Sequence, residues 1–275
     1  MWYSIIFYFR VCALAVAVWT PAADSNRLVF SGHAHNDYQH PRPLWEAIGY
    51  KFISIEADIY LVGQDLLVGH DKEDLNEDRS LQSLYLEPLR LYINDRDGWV
   101  YPGHELILLI DIKSAAEPTY EILRKELTAY SDILTSYSSD HVERRAVAVV
   151  ISGNRPREFM RNEEIRYATY DGRLEDLSGE KVENFMILIS DNWQSHFSWR
   201  GEGPMPAAER EKLSGIIAGA HAKGYKIRFW NLPADDPACR RTIWTELISA
   251  GVDLISVDDL KAYHDFLIDE MIQNR

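Results

Sequence analysis

Eight short apolar or β-branched runs recur along the chain, at Leu28 to Phe30, Phe52 to Ile59, Leu106 to Ile112, Ala146 to Ile151, Tyr167 to Tyr170, Met186 to Ile189, Ile227 to Trp230 and Leu254 to Val257. Segments with helical spacing separate most of them, among them Glu117 to Leu134, Ala207 to Lys223, Arg240 to Ala250 and Leu260 to Ile272. Gly224 and Gly251 follow two of these helices directly, as C-caps before a strand do. Strands alternating with helices predict a parallel sheet covered on both faces. No Pro-, Gly- or Ser-rich linker and no repeat of 20 to 50 residues divides the chain, so the expectation is one domain, residues 24–275, folded as an α/β (β/α)8 TIM barrel.

The first residues are read separately. Met1 to Trp19 is apolar apart from Arg10, and Val11 to Trp19 followed by Thr20-Pro21-Ala22-Ala23 has the layout of an export signal over residues 1–23, cleaved after Ala22 or Ala23. Nine apolar residues are too few for the roughly 20 that span a bilayer, so no stable membrane insertion is expected. This reading predicts a secreted or otherwise extracytoplasmic protein, periplasmic if bacterial. Cleavage would leave about 250 residues, the usual length of such a barrel, and Cys239 as the one remaining cysteine, hence no internal disulfide. With 43 acidic against 29 basic side chains the formal charge is −14, which argues against a nucleic-acid partner. An anionic substrate would need locally placed cations.

In barrels of this kind the functional groups sit at the carboxyl ends of the strands. Glu56 and Asp58 lie two apart in FISIEADIYL and share a face; Asp111 and Lys113 repeat the arrangement in LLIDIKS. Carboxylates in apolar strands require neutralisation. Three of them, with water and an amide such as Asn36, suit one hard divalent cation, Mg2+ or Ca2+, better than zinc. The bland alternative is an ion-pair cluster of Glu56, Asp58, Asp111, Lys113 and Arg228. His33 and His35 share the strand-one face, and His70 ends a short extended segment after the Gly63-Gln64 turn. Two imidazoles beside a metal can serve as general acid and base at phosphorus, with Lys113 stabilising the non-bridging oxygens. Arg155, Arg228 and Trp230 are candidate substrate contacts, with Trp193 and Trp199 as further aromatic candidates.

The order GHAHND, IEADIYL, LLVGHD, LLIDIKS resembles the phosphatidylinositol-specific phospholipase C and glycerophosphodiester phosphodiesterase superfamily of barrels. The strings HAHNDY, ISGNRP, YDGRL, ISDNW, RFWNLP and GVDLISVDD resemble, within it, the branch that includes the altered-inheritance-of-mitochondria protein six family. The resemblance implies that His33 and His70 are the acid/base pair and that Glu56, Asp58 and Asp111 bind the cation. Lys113 and Trp230 match a lysine and an aromatic of the similar sphingomyelinase D toxins. The glycerophosphodiesterases carry His-Arg-Gly and Glu-Asn-Thr after strand one, whereas this chain has His33-Ala34-His35-Asn36. That departure leaves His33 or His35 open as the strand-one catalyst; the toxin-like Gly-His-x-x-Asn spacing favours His33. The implied activity is phosphodiester hydrolysis of a small-molecule or lipid substrate, through a cyclic phosphate where a neighbouring hydroxyl exists. An amidohydrolase-like or histidinol-phosphatase-like metal hydrolase and a non-catalytic ligand-binding barrel are the alternatives.

Overall fold

A computed structural model describes residues 31–233 and 236–273. Eight parallel strands among these residues close on themselves: β1 (Gly32–Ala34), β2 (Ser54–Val62), β4 (Leu106–Ile112), β7 (Val147–Gly153), β8 (Thr169–Gly172), β9 (Leu188–Asn192), β10 (Lys226–Trp230) and β11 (Leu254–Val257), with β1 pairing both β2 and β11. This is a (β/α)8 barrel. The strands are rich in Ile, Val and Leu because most of their residues are covered on both faces.

The expected first run, Leu28 to Phe30, and the expected export signal lie outside the described residues. The described first strand is Gly32–Ala34, so His33 is a strand residue and not a loop residue. β2 runs past the rim, turns at Gly63, whose φ of 64° suits glycine, and returns as β3 (Asp65–Val68), antiparallel to it. That hairpin carries His70 back over the barrel mouth. The small hairpin of β5 (Ser136–Tyr137) and β6 (Val142–Glu143) has no counterpart in the expected elements.

Helices cover the outside. Ala116–Thr128 buries Tyr120, Leu123 and Leu127; Ala207–Ala222 buries Leu213, Ile217 and Ala220; Pro237–Ala250 buries Ile243, Trp244 and Leu247. The first ends at Thr128, short of the expected Leu134, because Ile133 and Leu134 are drawn against the sheet and Leu134 bridges Val147. Gly251 caps its helix in the left-handed region, φ 93°, as its position predicts. No helix among the described residues is long and apolar enough to cross a membrane.

Inside the barrel the lower level is an apolar plug of Ile107, Leu109, Val150, Leu188 and Leu254. Above it the inward side chains turn polar, and the site occupies that level.

Candidate active site

Parallel registry places Asp58 beside Asp111 and Asp111 beside Ser152. Glu56, Asp58 and Asp111 each bring a carboxylate oxygen within 4.8 Å of the others. The end of β7 allows this approach: Gly153 has φ +68°, and a Cβ there would collide with Asp111 Oδ1 and the Ile112 carbonyl. ISGN thus needs its glycine for space and for conformation.

Each carboxylate has a different set of partners. Glu56 Oε2 accepts from Arg228 Nη2 at 2.9 Å and lies 2.8 Å from His33 Nε2. Burial would raise its pKa, but Arg228, and then His33, hold it far below the carboxylate range. Asp58 Oδ2 accepts from Tyr38 Oη at 2.8 Å and lies 3.1 Å from Lys113 Nζ and 3.3 Å from His70 Nδ1. Asp58 Oδ1 is buried with no hydrogen-bond partner. Burial, with the charge of Glu56, pushes Asp58 up to about 6. Asp111 is raised as well, chiefly by burial, against the pull of Lys113 3.2 Å away. Burial disfavours the Lys113 ammonium, yet Asp111 and Asp58 outweigh it and raise its pKa.

Three carboxylates therefore face two fixed cations, Lys113 and Arg228. One negative charge remains, with two buried oxygens that have no hydrogen bond: Asp58 Oδ1, and Asp111 Oδ1 with its ion-pair contact to Lys113 alone. This donor set fits a hard cation, and Glu56, Asp58 and Asp111 could hold one. Asn36 sits in the left-handed region, φ 50°, and its Oδ1 accepts from Tyr38 Oη at 2.9 Å, the same hydroxyl that reaches Asp58 Oδ2.

The two strand-one histidines differ in depth. His33 has no exposed surface, and its ring nitrogens lie 2.7 Å from Ser54 Oγ and 2.8 Å from Glu56 Oε2. Burial, with Arg228 nearby, lowers its pKa to about 4, so it is neutral at pH 7. The sequence-based preference for His33 as the strand-one catalyst thus meets an enclosed ring with both nitrogens engaged. His35 has 34% of its side chain exposed, and its Nδ1 lies 2.7 Å from Asp258 Oδ1. Burial works against its charged form, but the bond to Asp258 and the charge of Glu56 raise its pKa overall. His70 is 48% exposed, with Nδ1 3.3 Å from both Asp58 Oδ2 and Tyr38 Oη.

The candidate substrate contacts scatter. Arg228 is buried and occupied by Glu56 and Ser256 Oγ, so it is a support and not a free phosphate ligand. Arg155 stays on the rim, over the Tyr170 ring at 4.7 Å. Trp230 is half-buried at the end of β10. Trp193 and Trp199 are core residues, not rim aromatics: Trp193 stacks on Phe197 at 4.1 Å and donates Nε1–H to the Trp199 carbonyl. Sequence reasoning missed Tyr38, Arg173 and the Asp258 partnership with His35. Tyr38 closes HAHNDY and Arg173 follows the fifth strand in YDGRL, so both were marked only by position.

Fold and site together define a (β/α)8 barrel with an acidic cluster that could hold a cation and a histidine-bearing rim. The chain matches the AIM6-like phosphodiesterase domain over residues 24–171 and belongs to that family. Altered inheritance of mitochondria protein 6 of Eremothecium gossypii is 31% identical over 270 residues, covering 85% of this chain and 68% of its own. Its homolog in Arthroderma benhamiae is 29% identical, covering 84% and 81%, and the Saccharomyces cerevisiae protein is 30% identical, covering 83% and 68%. No solved structure matches. These relatives correct the expected secreted or extracytoplasmic location. Their names tie them to mitochondria, organelles inside the cell, and the segment that suggested export lies outside the described residues.

Proposed function

We propose that the chain is a divalent-cation-dependent phosphodiesterase acting on a small-molecule or lipid phosphodiester of the phospholipid head-group or glycerophosphodiester type, with no role for nucleic acid. The observation that carries this reading is the unpartnered Asp58 Oδ1 inside a three-carboxylate cluster, flanked by Lys113 and by imidazoles on the rim. Glu56, Asp58 and Asp111 would hold the cation, Mg2+ or Ca2+, which supplies charge stabilisation at the non-bridging phosphate oxygens.

The proton chemistry falls to His35 and His70. Asp258 accepts from His35 Nδ1–H, which leaves Nε2 as the basic atom. One imidazole takes the proton of the attacking hydroxyl as the new phosphorus–oxygen bond forms; the other delivers a proton to the departing oxygen as its bond breaks. A substrate hydroxyl next to the phosphate gives a cyclic product, and water gives the open one. Lys113 offers its ammonium to the phosphate while neutralising Asp58 and Asp111. Tyr38 holds Asp58 and Asn36 in place, and His33 fixes Glu56 from below.

A closed ion-pair cluster without a cation is the competing reading, and the Arg228–Glu56 and Lys113 contacts favour it. The leftover negative charge weighs against it. Purified protein should hydrolyse bis(p-nitrophenyl) phosphate or glycerophosphodiesters with added Mg2+ or Ca2+ and lose that activity in EDTA. His35→Ala and His70→Ala should each lower kcat by about 100-fold or more. Unchanged turnover in EDTA and in both variants refutes the proposal; full activity in His35→Ala with loss in His33→Ala returns the strand-one role to His33.

A further inference from the structure

Two guanidinium groups converge on the rim where the acid–base chemistry requires no charge. Arg155, two residues after β7, and Arg173, directly after β8, both aim Nη1 at one atom, the main-chain oxygen of Asp171. Arg173 uses the same Nη1 on Asp171 Oδ2 at 2.8 Å and on Ser190 Oγ at 3.2 Å. Among the described residues the hydrogen bonds of both arginines run through Nη1, which leaves Nε and Nη2 free. Asp171 is the one carboxylate between them. Its oxygens are further engaged by Ser152 at 2.8 Å and by Ser190 at 2.6 and 2.8 Å. Neighbouring Arg157 stacks on the same Tyr170 ring but is neutralised by Asp176 at 2.7 Å. Arg155, Arg157, Arg173, Asp171 and Asp176 thus sum to one net positive charge in a chain whose formal charge is −14, with Asp191 at their edge, its Oδ2 accepting from Leu174 N and its Oδ1 3.3 Å from His196 Nε2. Burial, then the nearness of Arg173, disfavours the charge on Arg155. A bound anion would relieve that cost, and guanidinium pairs with free donors suit phosphate oxygens.

Charge counting separates this pair from the reacting phosphate. Glu56, Asp58, Asp111, Lys113 and Arg228 sum to one negative charge, and a divalent cation would turn that into one positive charge, matched to the single charge of a phosphodiester. The positive charge at Arg155 and Arg173 is left over.

We propose that Arg155 and Arg173 form a second anion subsite that binds a phosphomonoester carried by the substrate, so that the substrate class is a phosphodiester bearing a further terminal phosphate. The substrate half of this assignment rests on the phosphodiesterase reading; the anion subsite does not.

The test has two arms. In the first, inorganic phosphate is titrated calorimetrically into the full chain in EDTA, so that binding is read without turnover. Binding should weaken at least tenfold in Arg155→Gln, a change that frees only a carbonyl, and in Arg173→Lys, which keeps the charge beside Asp171 but removes the free guanidinium donors, and should persist within threefold in Lys113→Gln. Undiminished binding in Arg155→Gln or in Arg173→Lys, no binding to the wild type, or loss in Lys113→Gln overturns the subsite. In the second arm, KM is compared for glycerophosphoglycerol and its terminal phosphate ester, and for vesicles of phosphatidylglycerol and phosphatidylglycerophosphate. The phosphorylated member of a pair should have a KM at least tenfold lower, and Arg155→Gln should erase that difference; the soluble or the vesicle pair that does so identifies the source. Turnover of all four with equal KM overturns the substrate class. Turnover of none refutes the phosphodiesterase reading, while the phosphate titration still decides the subsite.

Discussion

Replacing Arg228 by methionine tests whether the buried centre is held by charge. Arg228 and Glu56 are 3% and 4% exposed, their ion pair is 2.9 Å long, and Arg228 Nε also donates to Ser256 Oγ at 2.9 Å. Methionine keeps most of the side-chain volume but leaves Glu56 buried with His33 alone. Removing one member of a buried pair costs about 3–5 kcal/mol, mostly as the penalty on the abandoned charge. At about 2–4 °C per kcal/mol for a chain of this size, Tm should fall by about 6–20 °C. The pH dependence supplies the sign. Glu56 has a depressed pKa in the folded protein, so its contribution is present above the ordinary value of 4.5 and is lost as pH falls toward the folded value. The gap between wild type and variant should therefore be full at pH 7 and shrink below about pH 4.5. Scanning calorimetry and urea denaturation in EDTA at both pH values measure it. Glu56→Gln combined with Arg228→Met should cost less than the sum of the single changes by on the order of 2 kcal/mol. A variant within about 1 kcal/mol of wild type at pH 7, or a gap that widens in acid, refutes the argument.

Gly153→Ala forces a left-handed residue with a side chain against Asp111. It should cost about 2 kcal/mol or more in urea denaturation and weaken divalent-ion binding at least tenfold by calorimetric titration; wild-type affinity would contradict the packing. Glu126, partly buried with Oε1 unpartnered, has its pKa raised to about 7 by burial and then by Asp65. A raised carboxyl contributes fully below its ordinary pKa and loses that contribution as pH rises through the folded value, so Glu126→Gln should be more stable than wild type at pH 8 by on the order of 1 kcal/mol, allowing for its partial exposure, and no more stable at pH 4. Equal stability at pH 8 would show that Glu126 is solvated.

The barrel was legible because its signal is local. The runs at 106–112 and 254–257 coincide with β4 and β11, and the helix at 207–222 ends one residue from its expected limit. Period two along FISIEADIYL and LLIDIKS put the three carboxylates on inward faces without any knowledge of neighbours. Partnerships were not legible, because they depend on which strands become adjacent and at what height. Arg228 lies 172 residues from Glu56, and Asp258 lies 223 from His35.

Height along the strand also explains why similar residues divide into supports and exposed groups. His33 and His35, Asp171 and Arg173, Arg228 and Trp230, and Ser256 and Asp258 are pairs spaced by two. In each pair the first residue lies inside the barrel and the second nearer the rim. His33, Asp171 and Arg228 are buried and engaged by neighbouring side chains; His35 and Arg173 keep side-chain nitrogens free at the mouth. Sequence spacing shows that two residues point the same way and is silent on which is covered, because the level of the apolar plug is set by Ile107, Leu109, Val150, Leu188 and Leu254 from other strands. That plug lies low. It leaves two polar levels above it, a bonded one that fixes Glu56 and Asp171 and an open one where a substrate could be met. The open level holds the cations that a net-acidic chain needs to approach phosphate.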